Sequence, residues 1–131
     1  MMGVRAQILL VEDEPAIAEL LTRVFAMGGY TTCWAPHGQR ALELLAAAPP
    51  GLMTLDLNMP HLSGVEVLSQ IRATPRLHDL PVVVLTSREE VPVVVQAQAT
   101  LVMQKPFDIP ELLAAAAAFL EAPFQARAVG T

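Results

Sequence analysis

Glu12 and Asp13 follow the apolar run Gln7–Val11, and Asp56 lies within the run Leu52–Leu57. Thr86 and Ser87 close Pro81-Val-Val-Val-Leu-Thr86, and Lys105-Pro106 follows Leu101–Gln104. The first of these runs is too apolar to be half exposed and reads as a buried strand; the fourth is apolar on both faces. In an open parallel sheet, ligands bind beyond the carboxyl ends of the strands. Three carboxylates, two hydroxyls and the chain's single lysine would then meet at one edge. Two carboxylates about 4 Å apart repel by roughly 4 kcal/mol at an effective dielectric of 20. Such a cluster requires a cation, and an all-oxygen donor set suits Mg²⁺, which keeps several waters and takes one or two carboxylates with a phosphate oxygen. Phosphoryl chemistry follows. A carboxylate can act as nucleophile to give an aspartyl phosphate, while Mg²⁺, Lys105 and Thr86 neutralise the oxygens of the transferred group.

The elements that must position these groups alternate along the chain. After the first strand, Pro15 suits a first helical turn, and Ile17, Leu20, Leu21, Val24 and Phe25 form an apolar stripe that ends at Gly28-Gly29. Tyr30–Ala35 reads as a strand, Gly38–Ala48 as a helix stopped by Pro49-Pro50-Gly51, Leu52–Leu57 as a third strand and Gly64–Ala73 as a helix. Pro81–Thr86 is the fourth strand and Leu101–Gln104 the fifth, and a last helix runs from about Pro110 to Glu121. Strands alternating with helices, with central strands apolar on both faces, predict a parallel sheet covered on both sides. The segment from Ser87 to Ala99 breaks the pattern. Pro92 and the three valines after it disfavour a helix interior, so a short or distorted helix, or extended chain, is expected there.

Composition narrows the function classes. The 131-residue chain carries a net charge of −5 without a cluster of arginines, which argues against direct contact with nucleic acid. No apolar run approaches the roughly 18 residues needed to span a bilayer, so a soluble, cytoplasmic protein is expected. A single cysteine, Cys33, excludes an intrachain disulfide and reads as a small core residue. His37, His61 and His78 lack metal-ligand spacing and read as surface residues, Trp34 reads as partial packing at a sheet edge, and the arginines apart from Arg88 read as surface choices.

Four pieces in order carry a resemblance: Val11-Glu-Asp-Glu-Pro15, Leu55-Asp-Leu-Asn-Met-Pro60 with Gly64 beyond it, Val84-Leu-Thr-Ser87, and Gln104-Lys-Pro-Phe107. Together they resemble the response-regulator receiver domain of bacterial two-component signalling, over about residues 6 to 121. The resemblance implies a flavodoxin-like doubly wound α/β fold with strand order 2-1-3-4-5. It implies that Asp56 accepts a phosphoryl group from a phosphohistidine on a histidine kinase or phosphotransfer protein. Glu12 and Asp13 would hold Mg²⁺ together with the Asp56 carboxylate and the backbone carbonyl of Asn58. Lys105, ahead of a cis Pro106, would pair with the phosphoryl oxygens. Thr86, with Ser87 beside it, would bind the phosphoryl group and draw its loop inward. Asn58 and Arg88 match positions that tune phosphate lifetime.

The chain departs from the family in two places. The interval from Thr86 to Lys105 is about one helical turn short, which makes the fourth helix suspect. The position three before the lysine, usually aromatic and swung inward on activation, is Val102. An atypical partner surface for an unknown downstream protein is expected. So is the possibility that Glu89–Ala99 runs extended and hands the fifth strand and its helix to a second copy, forming a homodimer. Residues 1–121 read as the receiver and 122–131 as a tail without an output domain. Two alternatives stand beside the phosphoryl-accepting switch. One is a receiver fold used as a phosphorylation-independent interaction module. The other is an aspartyl-nucleophile phosphatase, which would want a second Asp where Asn58 stands.

Overall fold

A computed structural model of the chain describes residues 7–120. Five strands, β1 (Ile8–Val11), β2 (Thr32–Ala35), β3 (Leu52–Asp56), β4 (Val82–Thr86) and β5 (Leu101–Gln104), alternate with five helices. The helices are α1 (Pro15–Met27), α2 (Gly38–Ala47), α3 (Gly64–Ala73), α4 (Val93–Gln98) and α5 (Ile109–Leu120). Every strand pairing is parallel and the order is β2-β1-β3-β4-β5, the flavodoxin-like arrangement expected. The strand order reverses between β1 and β3, so the ligand crevice of such a sheet opens over the carboxyl ends of those two strands.

Side-chain alternation divides the core into two halves. Ile8, Leu10, Leu52, Val83, Leu85 and Met103 pack with Leu21, Val24 and Phe25 of α1 and with Leu112 and Ala116 of α5. Leu9, Val11, Met53, Leu55, Val82 and Val84 pack with Ala41 and Leu45 of α2, Val67, Leu68 and Ile71 of α3, and Val95 of α4. Every residue of β1, β3 and β4 is buried, which is where the apolar excess of the composition goes. Burying one such Val, Leu or Ile side chain contributes roughly 1.5–3 kcal/mol. On α1 the stripe is rotated from the expected one: Ala18 is buried, whereas Leu20 is 45% exposed. Ala18, Leu21 and Phe25 fall on one line of the 3.6-residue period, and Leu20 sits about 100° away from Leu21.

The crossover from β4 to β5 contains a helix of six residues, so the expected shortening of α4 is present. Pro92 precedes that helix instead of breaking it. Its carbonyl accepts from the N–H groups of Val95 and Gln96 at 3.0 and 3.1 Å, and the valines thought to resist helix form its first turn. Glu89–Ala99 is therefore not extended throughout. The chain returns β5 to its own sheet in unbroken register, from Val83 opposite Leu101 to Thr86 opposite Gln104.

Two arginines tie elements together: Arg72, read as a surface residue, is half buried, and Arg76 does so while staying exposed. Arg72 of α3 donates from Nε to the Gln98 carbonyl at 2.8 Å, and from Nη1 to the carbonyls of Leu80 at 2.8 Å and His78 at 2.9 Å. It ties the end of α4 to the approach to β4. Arg76 reaches the Leu45 and Ala46 carbonyls at the end of α2, at 3.1 and 2.7 Å, where a cation also meets the negative end of the helix dipole. The tail expected at 122–131, and the boundary at Glu121, lie outside the described residues. No described helix is long and apolar enough to cross a membrane.

Candidate functional site

The acid edge begins where β1 runs out. Glu12 takes one further ladder bond, its N–H donating to the Ala35 carbonyl at 3.2 Å. Its carboxylate is buried: Oε2 accepts from the Glu14 N–H at 3.2 Å and Oε1 from Lys105 Nζ at 3.1 Å. At 1% exposure Glu12 is not the solvated acid of an ordinary turn. Asp56 ends β3, also buried. Its Oδ1 accepts from the Asn58 N–H at 3.1 Å and lies 3.6 Å from Lys105 Nζ. Asp13, half buried, completes a set in which one oxygen from each of Glu12, Asp13 and Asp56 lies within 4.8 Å of the others.

Electrostatics oppose this arrangement in the bare protein. Burial, with the nearby Asp56 charge, pushes the Glu12 carboxyl up to about 7. Burial likewise raises Asp56 above the ordinary carboxylate range, against the Asn58 N–H and the Lys105 charge. One ammonium faces three carboxylates, so the cluster is left short of positive charge. An all-oxygen set of this size fits a hard divalent cation such as Mg²⁺ and offers nothing to a soft one.

The helix after β3 reaches the site through a close approach. Ser63 caps α3 reciprocally with Glu66, its Oγ accepting from the Glu66 N–H at 3.3 Å and its N–H donating to Glu66 Oε1 at 3.2 Å. This seats Gly64 directly on the Asp56 loop, where a Cβ would overlap the Asp56 carbonyl and lie 2.7 Å from Leu57 Cα. Gly64 is more than a helix start; its missing side chain sets the packing distance under Asp56.

A second group flanks the acids. Thr86 is fully buried at the end of β4, and its hydroxyl accepts from the Arg88 N–H at 3.0 Å. Arg88 donates from Nε to Asn58 Oδ1 at 2.9 Å, joining the loops after β3 and β4. Gln104 donates from Nε2 to the Arg88 carbonyl at 2.9 Å, and the Lys105 N–H donates to the Thr86 carbonyl at 2.8 Å. The Lys105–Pro106 bond is cis, as the resemblance implied. Ser87 is exposed just beyond Thr86. Val102 packs, partly buried, against the α3–α4 side of the core.

Glu12, Asp13, Asp56 and Lys105 therefore come together, with Thr86, Asn58 and Arg88 in a linked shell beside them. The histidines stay outside: His37 caps α2 by accepting from the Arg40 N–H at 3.2 Å, His61 sits at φ 64° in the loop before α3, and His78 lies 3.1 Å from Asp79. Sequence reasoning missed Gln104 and Trp34, whose indole N–H donates to the Glu12 carbonyl at 2.7 Å. Nothing in the chain singles out Gln104. For Trp34 a signal existed, since an indole N–H at a sheet edge needs a partner.

Comparison with known proteins places this geometry. Residues 8–117 match the family described as the response regulator receiver domain. The chain is 43% identical over 117 residues to the response regulator MprA of Mycobacterium ulcerans (strain Agy99) and 41% identical over 117 residues to MprA of Mycolicibacterium vanbaalenii, covering 87% of this chain in each case. It spans about half the length of these curated relatives, 50%. Among solved structures, the Vibrio cholerae chemotaxis protein CheY4 superposes with TM-score 0.79 at 27% identity, covering 89% of this chain and 100% of that one. The signal receiver domain of a signal transduction histidine kinase from Syntrophus aciditrophicus gives 0.80 at 28% identity, over 88% of this chain and 90% of that one. The chain belongs to the response regulator receiver domain family. It is a two-component receiver and not a conventional enzyme, which sets aside the aspartyl phosphatase alternative.

Proposed function

We propose that this receiver is a phosphoryl-accepting switch in which Asp56 is the acceptor, charged by a histidine kinase or phosphotransfer protein in the cytoplasm. The observation that carries the reading is the acid triad with Lys105 at 3.1 Å from Glu12 and 3.6 Å from Asp56. In the transfer, an Asp56 carboxylate oxygen forms a bond to phosphorus as the bond from phosphorus to the donor nitrogen breaks. Glu12, Asp13, Asp56 and the Asn58 backbone carbonyl would hold Mg²⁺. Bound there, the cation would neutralise charge on the phosphoryl oxygens.

Lys105 is already in place to follow that charge from carboxylate to phosphate, as a compact ammonium can. Thr86 then donates its hydroxyl proton to a phosphoryl oxygen and turns away from the Arg88 N–H. With Val102 in place of an aromatic, the Gln104 contact to the Arg88 carbonyl carries loop movement to β5 and so to the face met by a downstream protein. Asn58 and Arg88, hydrogen-bonded to one another beside Asp56, set phosphate lifetime. Incubation with acetyl phosphate and Mg²⁺, followed by intact mass, tests the assignment. Wild type gains one phosphoryl group and Asp56→Asn gains none. Labelling that persists in Asp56→Asn refutes Asp56 as the acceptor, and an unlabelled wild type would support a phosphorylation-independent interaction module.

A further inference from the structure

Trp34 lies on the edge strand β2, opposite Leu10 of β1, and is 40% exposed. A large aromatic left half in water at an edge invites the reading that it merely covers its neighbours. Its indole N–H does something more specific. The paired register of β1 and β2 ends at Val11 opposite Ala35, and the Glu12 N–H adds a last bond to the Ala35 carbonyl at 3.2 Å. The Glu12 carbonyl comes next, and at 2.7 Å it receives the Trp34 Nε1–H in place of a ladder donor. Both backbone polar groups of Glu12 are thus held by consecutive residues of β2.

A peptide unit is planar, so fixing the Glu12 carbonyl and the direction of the strand before it fixes the plane that leads into Asp13. That plane decides where the Asp13 side chain leaves the backbone, at a bend outside the sheet. Glu12 has two further restraints on its carboxylate, from Glu14 and Lys105. We propose that Trp34 is a positioning residue for the cation site. Through the Glu12 carbonyl it presents Asp13 to the cation held with Glu12 and Asp56, and it makes the chain's single tryptophan an intrinsic reporter of occupancy. This rests on the acid triad being the Mg²⁺ site.

The test titrates Mg²⁺ into wild type and Trp34→Phe by calorimetry. An aromatic ring is kept, smaller by the pyrrole half, and the N–H is removed. Loss of one net hydrogen bond to the ligand-bearing peptide raises Kd between about two- and tenfold. Acetyl phosphate labelling of Trp34→Phe then needs more Mg²⁺ but reaches the wild-type rate at saturation, a split that a general loss of fold would not give. Combined with Asp13→Asn, Trp34→Phe adds less than its single-variant factor, because both act through one ligand. In wild type, tryptophan emission follows Mg²⁺ with the calorimetric Kd, a readout that needs no variant. An unchanged Kd in Trp34→Phe, full multiplicativity with Asp13→Asn, or emission that stays constant while heat shows binding each overturns the positioning role. A wild type that takes up no Mg²⁺ brings down the triad reading itself and this inference with it.

Discussion

Two cations held inside the fold, Lys105 and Arg72, meet opposite surroundings. Lys105 reaches the carboxylates of Glu12 and Asp56 at 3.1 and 3.6 Å, with Asp13 in the same cluster. Arg72 reaches the carbonyls of Gln98, Leu80 and His78 at 2.8, 2.8 and 2.9 Å, none of them charged. The first region carries more negative charge than its cation can match, so it is incomplete until a further cation or a phosphoryl group rearranges it. The second is saturated: a planar fork satisfies several carbonyls at once, and nothing further is wanted there. An unbalanced cluster can act as a switch, whereas a balanced one acts as a joint.

The sharpest way to break that contrast is at the joint. Arg72→Met keeps the aliphatic stem and strips three carbonyl partners from the turn between α4 and β5 and from the approach to β4. Hydrogen bonds to a charged group contribute about 1.5–3 kcal/mol each and are not additive, so a loss of about 3 kcal/mol in urea unfolding is expected. Labelling at Asp56 by acetyl phosphate, corrected for folded fraction, should stay near wild type. A stable variant that cannot be labelled would mean that the two regions are one.

Gly64→Ala probes the border. A Cβ there meets backbone, the Asp56 carbonyl and Leu57 Cα, which cannot swing aside as a side-chain tip does. Overpacking of this kind costs about 2 kcal/mol, more than the helix-propensity gain of up to about 1 kcal/mol from losing a glycine. Because the atoms displaced belong to the Asp56 loop, labelling slows as well as stability falling. Stopped labelling assays beside urea curves separate the two readouts; a destabilised variant with an unaltered labelling rate contradicts the close-approach argument.

Acidity moves the acid edge alone. Glu12, pushed up to about 7 by burial and by Asp56, is protonated in the folded state over a window where the unfolded chain is already ionised. Between the ordinary glutamate value and about 7, the folded protein holds more protons, so stability of the metal-free protein falls as pH rises through that window. Mg²⁺ takes only the ionised form, so its affinity drops by roughly tenfold for each pH unit below 7 and levels off above. Calorimetry at pH 5.5, 6.5, 7.5 and 8.5 checks this, and a flat affinity contradicts it. The Arg72→Met difference in stability stays constant over the same range: burial lowers Arg72 from its usual value, but a guanidinium remains charged there.

What the sequence made legible follows the same division. That Asp56, Lys105, Glu12, Asp13 and Thr86 share one edge was legible because each follows or ends an apolar run, and the order of those runs along the chain predicts one edge. The strands and the α3 boundaries follow from alternation and glycine punctuation. Arg72, Arg76, Gln104 and Trp34 were not legible in the same way. They act by donating to backbone carbonyls, and a carbonyl has no letter in the sequence. The α4 segment is short, as expected, yet its valines lie inside the helix for a related reason. Helix propensity counted Val93, Val94 and Val95 against a helix, while the α3–α4 packing of Val95 and the Arg72 bond to Gln98 outweigh a few tenths of a kcal/mol per residue.

The mildest test lies on that helix, where valines two positions apart have different fates. Val95 is buried against the core, and Val93 is 81% exposed. Val95→Ala removes packed methyl groups and costs about 1–2 kcal/mol. Val93→Ala removes nothing that touches the core and gains up to about 0.5 kcal/mol of helix propensity, so unfolding shifts slightly toward greater stability. Urea curves at two protein concentrations a hundredfold apart read both variants. If Val93→Ala instead loses stability, and loses more at the higher concentration, Val93 is covered by a second molecule in solution. The joint under α4 would then be an interface as well, and the contrast with the acid edge would narrow to charge alone.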